Sequence, residues 1–142
     1  MKLVKQLLDA KGRDVLSIQP DASVLDAIKL MAEKSIGALA VMDGGDLIGI
    51  ITERDYARKV ILKGRASDET PVSEIMSVEI LTTSSEESVQ TCMNMMTNSK
   101  IRHLPVVDDG RVSGMISIGD LVKAVIAEQQ EEIQHLEQYI SG

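Results

Sequence analysis

Gly49-Ile50-Ile51-Thr52-Glu53-Arg54-Asp55 returns further along the chain as Gly114-Met115-Ile116-Ser117-Ile118-Gly119-Asp120. Both stretches read G-x-x-[S/T]-x-x-D, and both stand where an apolar run gives way to a helix-forming one. The match spreads outward from there. Val15 to Ile61 and Ile80 to Ile126 align without a gap, with identical pairs at Ser23/Ser88, Val24/Val89, Met31/Met96, Ile36/Ile101, Leu39/Leu104, Val41/Val106, Asp43/Asp108 and Gly45/Gly110. A repeat of this kind is one supersecondary unit used twice, so it constrains architecture more firmly than residue propensity does.

Each copy opens on a β-prone segment, Val15 to Ile18 or Ile80 to Thr83, followed by a polar stretch of helix-cap character. Val24, Ala27, Ile28, Met31 and Ala32, and then Val89, Cys92, Met93 and Met96, recur at helical spacing, which predicts a helix with one face in the core. Ala38 to Met42 and Leu104 to Val107 read as buried strands ending in the turns Asp43-Gly44-Gly45-Asp46 and Asp108-Asp109-Gly110-Arg111. The returning strands, Leu47 to Ile51 and Val112 to Ile116, run into a second helix expected to carry Val60-Ile61 or Val125-Ile126 inward. The expected fold is α/β (α+β): two pseudosymmetric β-α-β-β-α repeats packed through small three-stranded sheets and helices, because one copy alone has too small a core. The divisions expected are a helical lead-in over 1–14, a first repeat over 15–66, a linker with a short helix over 67–79, a second repeat over 80–126 and a helical extension over 127–142.

Composition removes several classes of function. The 142 residues are 44% apolar and 26% charged, a balance that supports a core and shows no bias toward disorder. With a net charge of −7 and only Tyr56 and Tyr139 as aromatics, the chain has no basic, base-stacking surface, which argues against direct nucleic-acid binding. One cysteine, Cys92, and two histidines, His103 and His135, give neither an internal disulfide nor a clustered zinc ligand set. No apolar run approaches the roughly 20 residues of a membrane span, and Met1 to Gly12 lacks the pattern of a secretory signal, so a cytoplasmic protein with no membrane association is expected.

The repeated motif has two physical readings. A Ser or Thr followed three residues later by an acid is a capping box, which merely starts a helix. The same geometry suits a nucleotide. A helix N-terminus favours phosphate, an acid in its first turn accepts from two neighbouring ribose hydroxyls, and a glycine at the strand end permits close approach to the backbone. Both copies keep the set in register, which favours the ligand reading.

The chain resembles the cystathionine-beta-synthase (CBS) domain family, whose tandem pairs form a Bateman module. The resemblance rests on the two G-x-x-[S/T]-x-x-D endings, on Ile36-Gly37-Ala38-Leu39-Ala40-Val41 and Ile101-Arg102-His103-Leu104-Pro105-Val106, and on Pro71-Val72-Ser73-Glu74-Ile75-Met76. It implies a non-catalytic regulatory module that binds an adenosyl ligand, AMP, ATP, NAD or similar, in clefts between its repeats and signals to an effector protein that the sequence does not name. It further implies that Asp55 and Asp120 hold ribose hydroxyls, that Thr52 and Ser117 lie near phosphates, and that adenine slots beside Ser17, Ile18, Gly37 and Ala38 in one copy. In the other copy the matching residues are Thr82, Thr83, Arg102, His103 and Pro105. Gly37-Ala38 stands where the second copy has Arg102-His103, so the two clefts should differ in charge. Arg102 and Arg54 are the candidate phosphate contacts, since a guanidinium fork matches phosphate oxygens. Replacing either motif aspartate is expected to weaken one site and leave the fold intact.

The alternative is a structural or oligomerisation module with vestigial clefts. A helix expected from about Asp120 to Tyr139 carries Val122, Ile126, Gln129, Ile133, Leu136 and Ile140 at alternating steps of four and three. Val122 and Ile126 are expected to pack on the module's own helices, and Ile133, Leu136 and Ile140 to need a partner. Pairs of this family usually dimerise through their helices, so a homodimer is expected.

Overall fold

The computed structural model describes residues 2–141; Met1 and Gly142, included in the expected lead-in and extension, lie outside them. In chain order come α1 (Val4–Lys11), β1 (Ser17–Ile18), α2 (Val24–Lys34), β2 (Ala38–Asp43), β3 (Asp46–Thr52) and α3 (Glu53–Tyr56), which continues as a π-helical turn, Ala57–Ile61. A 3-10 turn at Val72–Glu74 precedes α4 (Val89–Ser99), β4 (His103–Asp108), β5 (Arg111–Ser117) and α5 (Ile118–Ser141). These elements form two compact units, residues 15–81 and residues 2–14 with 82–141.

In the unit of repeat 1, β1 lies parallel to β2, with Ser17 opposite Ala40 and Ile18 opposite Val41, and β3 returns antiparallel on the other side of β2. In the unit of repeat 2, β4 and β5 form the same hairpin, and the third strand of the expected sheet is reduced to one parallel bridge, Thr83 to Val106. The hairpins share even their irregularity. The register slips between Val41 and Met42 in one and between Val106 and Val107 in the other, at matching positions.

Matching polar caps start the first helix of each repeat. Ser23 Oγ accepts from the Asp26 N–H, and Ser88 Oγ from the Thr91 N–H. Both helices stop on a left-handed residue, Ser35 at φ 55° and Lys100 at φ 56°. The helices bury Val24, Ala27 and Met31 in one unit and Val89, Cys92 and Met96 in the other, against strand residues Leu39, Val41 and Ile51 or Leu104, Val106 and Ile116. Cys92 is thus a core residue; burial raises its thiol pKa, and its Sγ lies 3.2 Å from Thr83 Oγ1.

Two inward assignments of the sequence reading are corrected. Val60 is fully buried but Ile61 is 55% exposed, because the π-helical turn holds more residues per turn than an α-helix and rotates Ile61 outward. On α5 the inward residues are Ile118, Leu121, Ala124 and Val125, whereas Val122 and Ile126 are exposed. One residue is a 100° turn of a helix, and the real phase is fixed by the Ser117 cap.

The segment leading into each repeat packs on the other one. Residues before repeat 2 bond to repeat 1 through Val24 N–H to Thr70 O, Val72 N–H to Ala22 O and Ser73 N–H to Pro20 O. Residues before repeat 1 make the matching bonds to repeat 2, Val89 N–H to Lys2 O, Val4 N–H to Glu87 O and Lys5 N–H to Ser85 O. The motif glycines serve this packing. A Cβ on Gly49 would stand 2.5 Å from Met76 Sδ, and one on Gly114 would stand 2.7 Å from Leu8 Cδ2. The close approach expected of a ligand is therefore made by the lead-in segment. Gly114→Ala should destabilise the protein by about 1–3 kcal/mol, the usual cost of overpacking a filled core. A thermal or urea melt checks this, and Leu8→Ala should cost less in the Gly114→Ala background than in the unaltered chain, because the added methyl then occupies part of the space the leucine leaves.

Candidate functional site

The motif joins a strand to a helix, and main-chain pairing brings its members to one corner. In repeat 1, Ala38 on β2 sits opposite Thr52 at the end of β3, and the Gly37 carbonyl accepts from the Glu53 N–H at 3.1 Å. In repeat 2, His103 sits opposite Ser117, and the Arg102 carbonyl accepts from the Ile118 N–H at 2.9 Å. Gly37, Ala38, Thr52 and Asp55 therefore share one corner, and Arg102, His103, Ser117 and Asp120 share its counterpart. Arg54 is exposed on the first turn of α3. Ser17 and Ile18 lie farther along the sheet, opposite Ala40 and Val41.

The remaining candidates of repeat 2 are placed less favourably. Thr82 is exposed, and Pro105 is buried opposite Met115. The Thr83 hydroxyl pairs with Cys92 in the core, its N–H donates to the Pro105 carbonyl, and its own carbonyl accepts from Val107. Thr83 can thus form a wall but has these groups already engaged.

Both motifs form the capping box. Thr52 Oγ1 accepts from the Asp55 N–H at 3.1 Å while Asp55 Oδ2 accepts from the Thr52 N–H at 3.0 Å. Ser117 Oγ accepts from the Asp120 N–H at 3.2 Å, and Asp120 Oδ2 from the Ser117 N–H at 2.8 Å. The first-turn N–H groups of Glu53, Asp55, Ile118 and Asp120 are all used internally, so the helix starts present fewer donors to an anion than an uncapped terminus would.

The carboxylates differ in their other partners. Asp55 is 8% exposed, and its Oδ1 accepts from the Ser77 hydroxyl at 3.3 Å and lies 3.0 Å from Lys59 Nζ. Lys59 also donates to the Ile75 carbonyl at 2.9 Å. Asp120 has a more accessible side chain, 21% against 10% for Asp55, and pairs with Lys11 from α1 at 2.5 Å. Lys11 also donates to the Met115 carbonyl. Burial pushes the Asp120 pKa up, but the bonds from Lys11 and Ser117 together outweigh it and leave the carboxyl below its ordinary value.

Sequence reasoning missed Ser77, Lys59 and Lys11. Lys59 was legible as an i, i+4 partner of Asp55; Lys11 lies 109 positions from Asp120 and left no local signal.

His103 is half-buried rather than an ordinary surface residue. Burial lowers its pKa first, and the charges of Lys11 and Arg102 lower it further against an opposing pull from Asp120. A histidine whose folded pKa is depressed favours the fold when neutral, so stability is expected to fall as pH drops through the unfolded value near 6.5 toward the folded one. His103→Gln should flatten that part of a stability-against-pH curve. Asp108, lowered first by the Ser113 hydroxyl and then by Ser85, and Asp120 act in the opposite sense, losing stabilisation below about pH 4 in either variant.

A groove of about 450 Å³ lies beside the first corner, lined by Ile28, Met31, Ala32, Ser35, Ile36, Gly37, Glu53 and Tyr56. It shares Gly37 and Glu53 with the corner, but Asp55, Ser17 and Ile18 do not line it. Among the described residues no group of three or more His, Cys, Asp or Glu is placed to hold a metal ion, and no helix is long and apolar enough to cross a membrane.

Comparison with known proteins places this architecture. The mitochondrial CBS domain-containing protein CBSX3 of Arabidopsis thaliana is 43% identical over 148 residues, covering 98% of this chain and 72% of that one. The structure of a protein with CBS domains from Burkholderia ambifaria matches with a TM-score of 0.87 and 52% identity, over 90% of this chain and 96% of that one. The CBS domain pair of protein MJ0100, solved in complex with 5′-methylthioadenosine and S-adenosyl-L-methionine, matches with a TM-score of 0.79 and 27% identity, over 90% of this chain and 98% of that one. The profile of the CBS domain matches twice, at residues 5–62 and 72–127, and with two β-α-β-β-α units built alike down to the register slip of their hairpins, this chain belongs to the CBS domain family as a tandem pair.

Proposed function

We propose that the chain is a non-catalytic regulatory module that binds an adenosyl ligand, AMP, ATP, NAD or a related compound, and passes the signal to a partner protein. The observation that carries this reading is the duplicated corner. In each repeat a motif aspartate stands in the first turn of a helix, next to a Thr or Ser hydroxyl and the loop before the hairpin, an arrangement suited to vicinal ribose hydroxyls. The adenosyl compounds bound by the MJ0100 pair, a structure of the same fold, support the ligand class. Thr52, Asp55, Gly37 and Ala38 with Ser17 and Ile18 would serve one site, and Ser117, Asp120, Arg102 and His103, walled by Thr82, Thr83 and Pro105, the other. Output would run through an effector that distinguishes two states of the module, since a ligand acts by its differential affinity for them.

A calorimetric screen of AMP, ADP, ATP, NAD and S-adenosylmethionine tests the reading, and no heat of binding with any of them would sink it. Arg102→Ala should weaken AMP more than adenosine, because it removes charge from the phosphate end alone; the loss for AMP should be about 1.5–3 kcal/mol, and an equal loss for both ligands would remove Arg102 from the phosphate.

The completed capping boxes favour a second reading, a structural or oligomerisation module whose corners only start helices. Failure of the ligand screen together with a stable homodimer would select it. A homodimer belongs to the first reading too, since Ile126, Ile133, Leu136 and Ile140 are 49%, 53%, 62% and 83% exposed on α5. A cytoplasmic location is likewise part of the proposal, and fractionation of the native host checks it.

A further inference from the structure

The two repeats close one edge differently, and the difference singles out Lys11. Beside the repeat 1 motif, Ser77 exchanges N–H and carbonyl bonds with Ile50 on β3, and its hydroxyl reaches Asp55. Beside the repeat 2 motif, the matching carbonyl, of Met115, and the matching carboxylate, of Asp120, are both served by the Lys11 ammonium. A main-chain bridge is held by the chain on either side of it. An ammonium on a four-carbon stem exchanges partners by rotating that stem. Lys11 is well placed to do so: it ends α1, Gly12 follows with φ 109°, and its side chain is 37% exposed. Lys59 of repeat 1 is no equivalent, because it adds to an Asp55 that Ser77 already engages.

The surroundings of Lys11 are suited to an anion. His103 and Arg102 flank the same corner, and the His103 imidazole responds to the charges of Lys11, Asp120 and Arg102 together. Cations gathered beside one carboxylate can neutralise more negative charge than that carboxylate supplies. Repeat 1 has Gly37 and Ala38 at these positions.

We propose that Lys11 is a ligand-binding residue of the repeat 2 site and sets its preference for phosphate-bearing over neutral nucleosides. Its ammonium leaves Asp120 for the ligand's phosphate as Asp120 takes up the sugar hydroxyls. The proposal rests on the adenosyl reading above and deepens it. Phosphate-bearing ligands gain a charge-assisted contact, whereas a neutral nucleoside must displace Lys11 from Asp120 with nothing in return.

The test is calorimetric titration of AMP and of adenosine into the full chain at low ionic strength, for wild type, Lys11→Met and Lys11→Arg, with Asp120→Ala identifying the component due to this site. Lys11→Met is expected to shrink the ratio of AMP to adenosine affinity about tenfold or more, and Lys11→Arg to retain most of it. An unchanged ratio, or a common factor of loss for both ligands, makes Lys11 a structural support and overturns the proposal while leaving the adenosyl reading in place. Failure of both ligands to bind the wild-type chain overturns this proposal, while the wider five-ligand screen decides the adenosyl reading separately. Titration of His103 by NMR supplies a ligand-free readout: its pKa should rise in Lys11→Met, and no change would show that the ammonium does not face the shared space.

Discussion

Asp55→Ala should lower the unfolding free energy by about 2–4 kcal/mol, roughly twice the loss from Asp120→Ala. The sequence alone suggests that either change leaves the fold intact; the environments of the two carboxylates set how much stability each change should cost. Asp55 is 8% exposed and accepts from the Thr52 N–H, the Thr52 hydroxyl and the Ser77 hydroxyl. Truncating it strips the helix cap and leaves part-buried donors unpaired, with little gained from its half-exposed lysine partner. Asp120 keeps fewer partners and more solvent, so its loss should cost less, and under the proposed adenosyl reading it should also weaken ligand binding at its own corner. Urea unfolding of the intact chain and of both variants reads the difference directly. Equal losses below about 0.5 kcal/mol would show that neither cap supports the fold.

Under the proposed homodimer, removing residues 130–142 should weaken self-association at least a hundredfold while leaving any nucleotide affinity unchanged. The deleted segment carries Ile133, Leu136 and Ile140, all more than half exposed, and covering such side chains contributes about 1.5–3 kcal/mol each where burial is complete. The strip begins earlier, at Val122 and Ile126, which are 41% and 49% exposed, so it runs much of the length of α5. That correction strengthens the case for a partner. Ile118, Leu121, Ala124 and Val125 hold α5 to its own unit, and the opposite face is left for another surface. The seam is short for an independent coiled coil, which needs about three to four heptads, so it should add to a larger contact. Sedimentation at micromolar concentration decides. A monomeric intact chain contradicts the dimer, and an unchanged dimer after truncation removes the tail from the interface.

What the sequence made legible was whatever repeats or has a period. Ser23 and Ser88, Gly49 and Gly114, and Asp55 and Asp120 are visible because the same local geometry is needed twice, and the structure gives each pair matching roles. The helix faces of Val24, Ala27 and Met31, and of Val89, Cys92 and Met96, follow from a 3.6-residue period. Phase was harder than period. Ile61 and Val122 were placed inward, but a π-helical turn and the Ser117 cap each reset the rotation. Contacts across long separations were illegible. Nothing near Asp120 in sequence announces Lys11, and nothing near Gly114 announces Leu8, since one residue's neighbours along the chain say little about what folds back onto it.

The crossed lead-in segments impose an order on synthesis. The residues of the repeat 1 core, Val72 and Ile75 among them, have all emerged once residue 81 has. Repeat 2 does not follow the same rule. Val4, Leu7 and Leu8 belong to its core, yet they are translated long before the rest of it and must stay uncommitted until Val89, Leu104, Ile116 and Leu121 exist. During elongation α1 is therefore an apolar tether, open to chaperones and to premature association, and its eight residues are too few to hold a helix firmly without tertiary support. Closing so wide a loop is slow relative to local pairing. The nascent chain should thus pass through a stage in which every core residue of repeat 1 is present while α1 still lacks the residues it packs on.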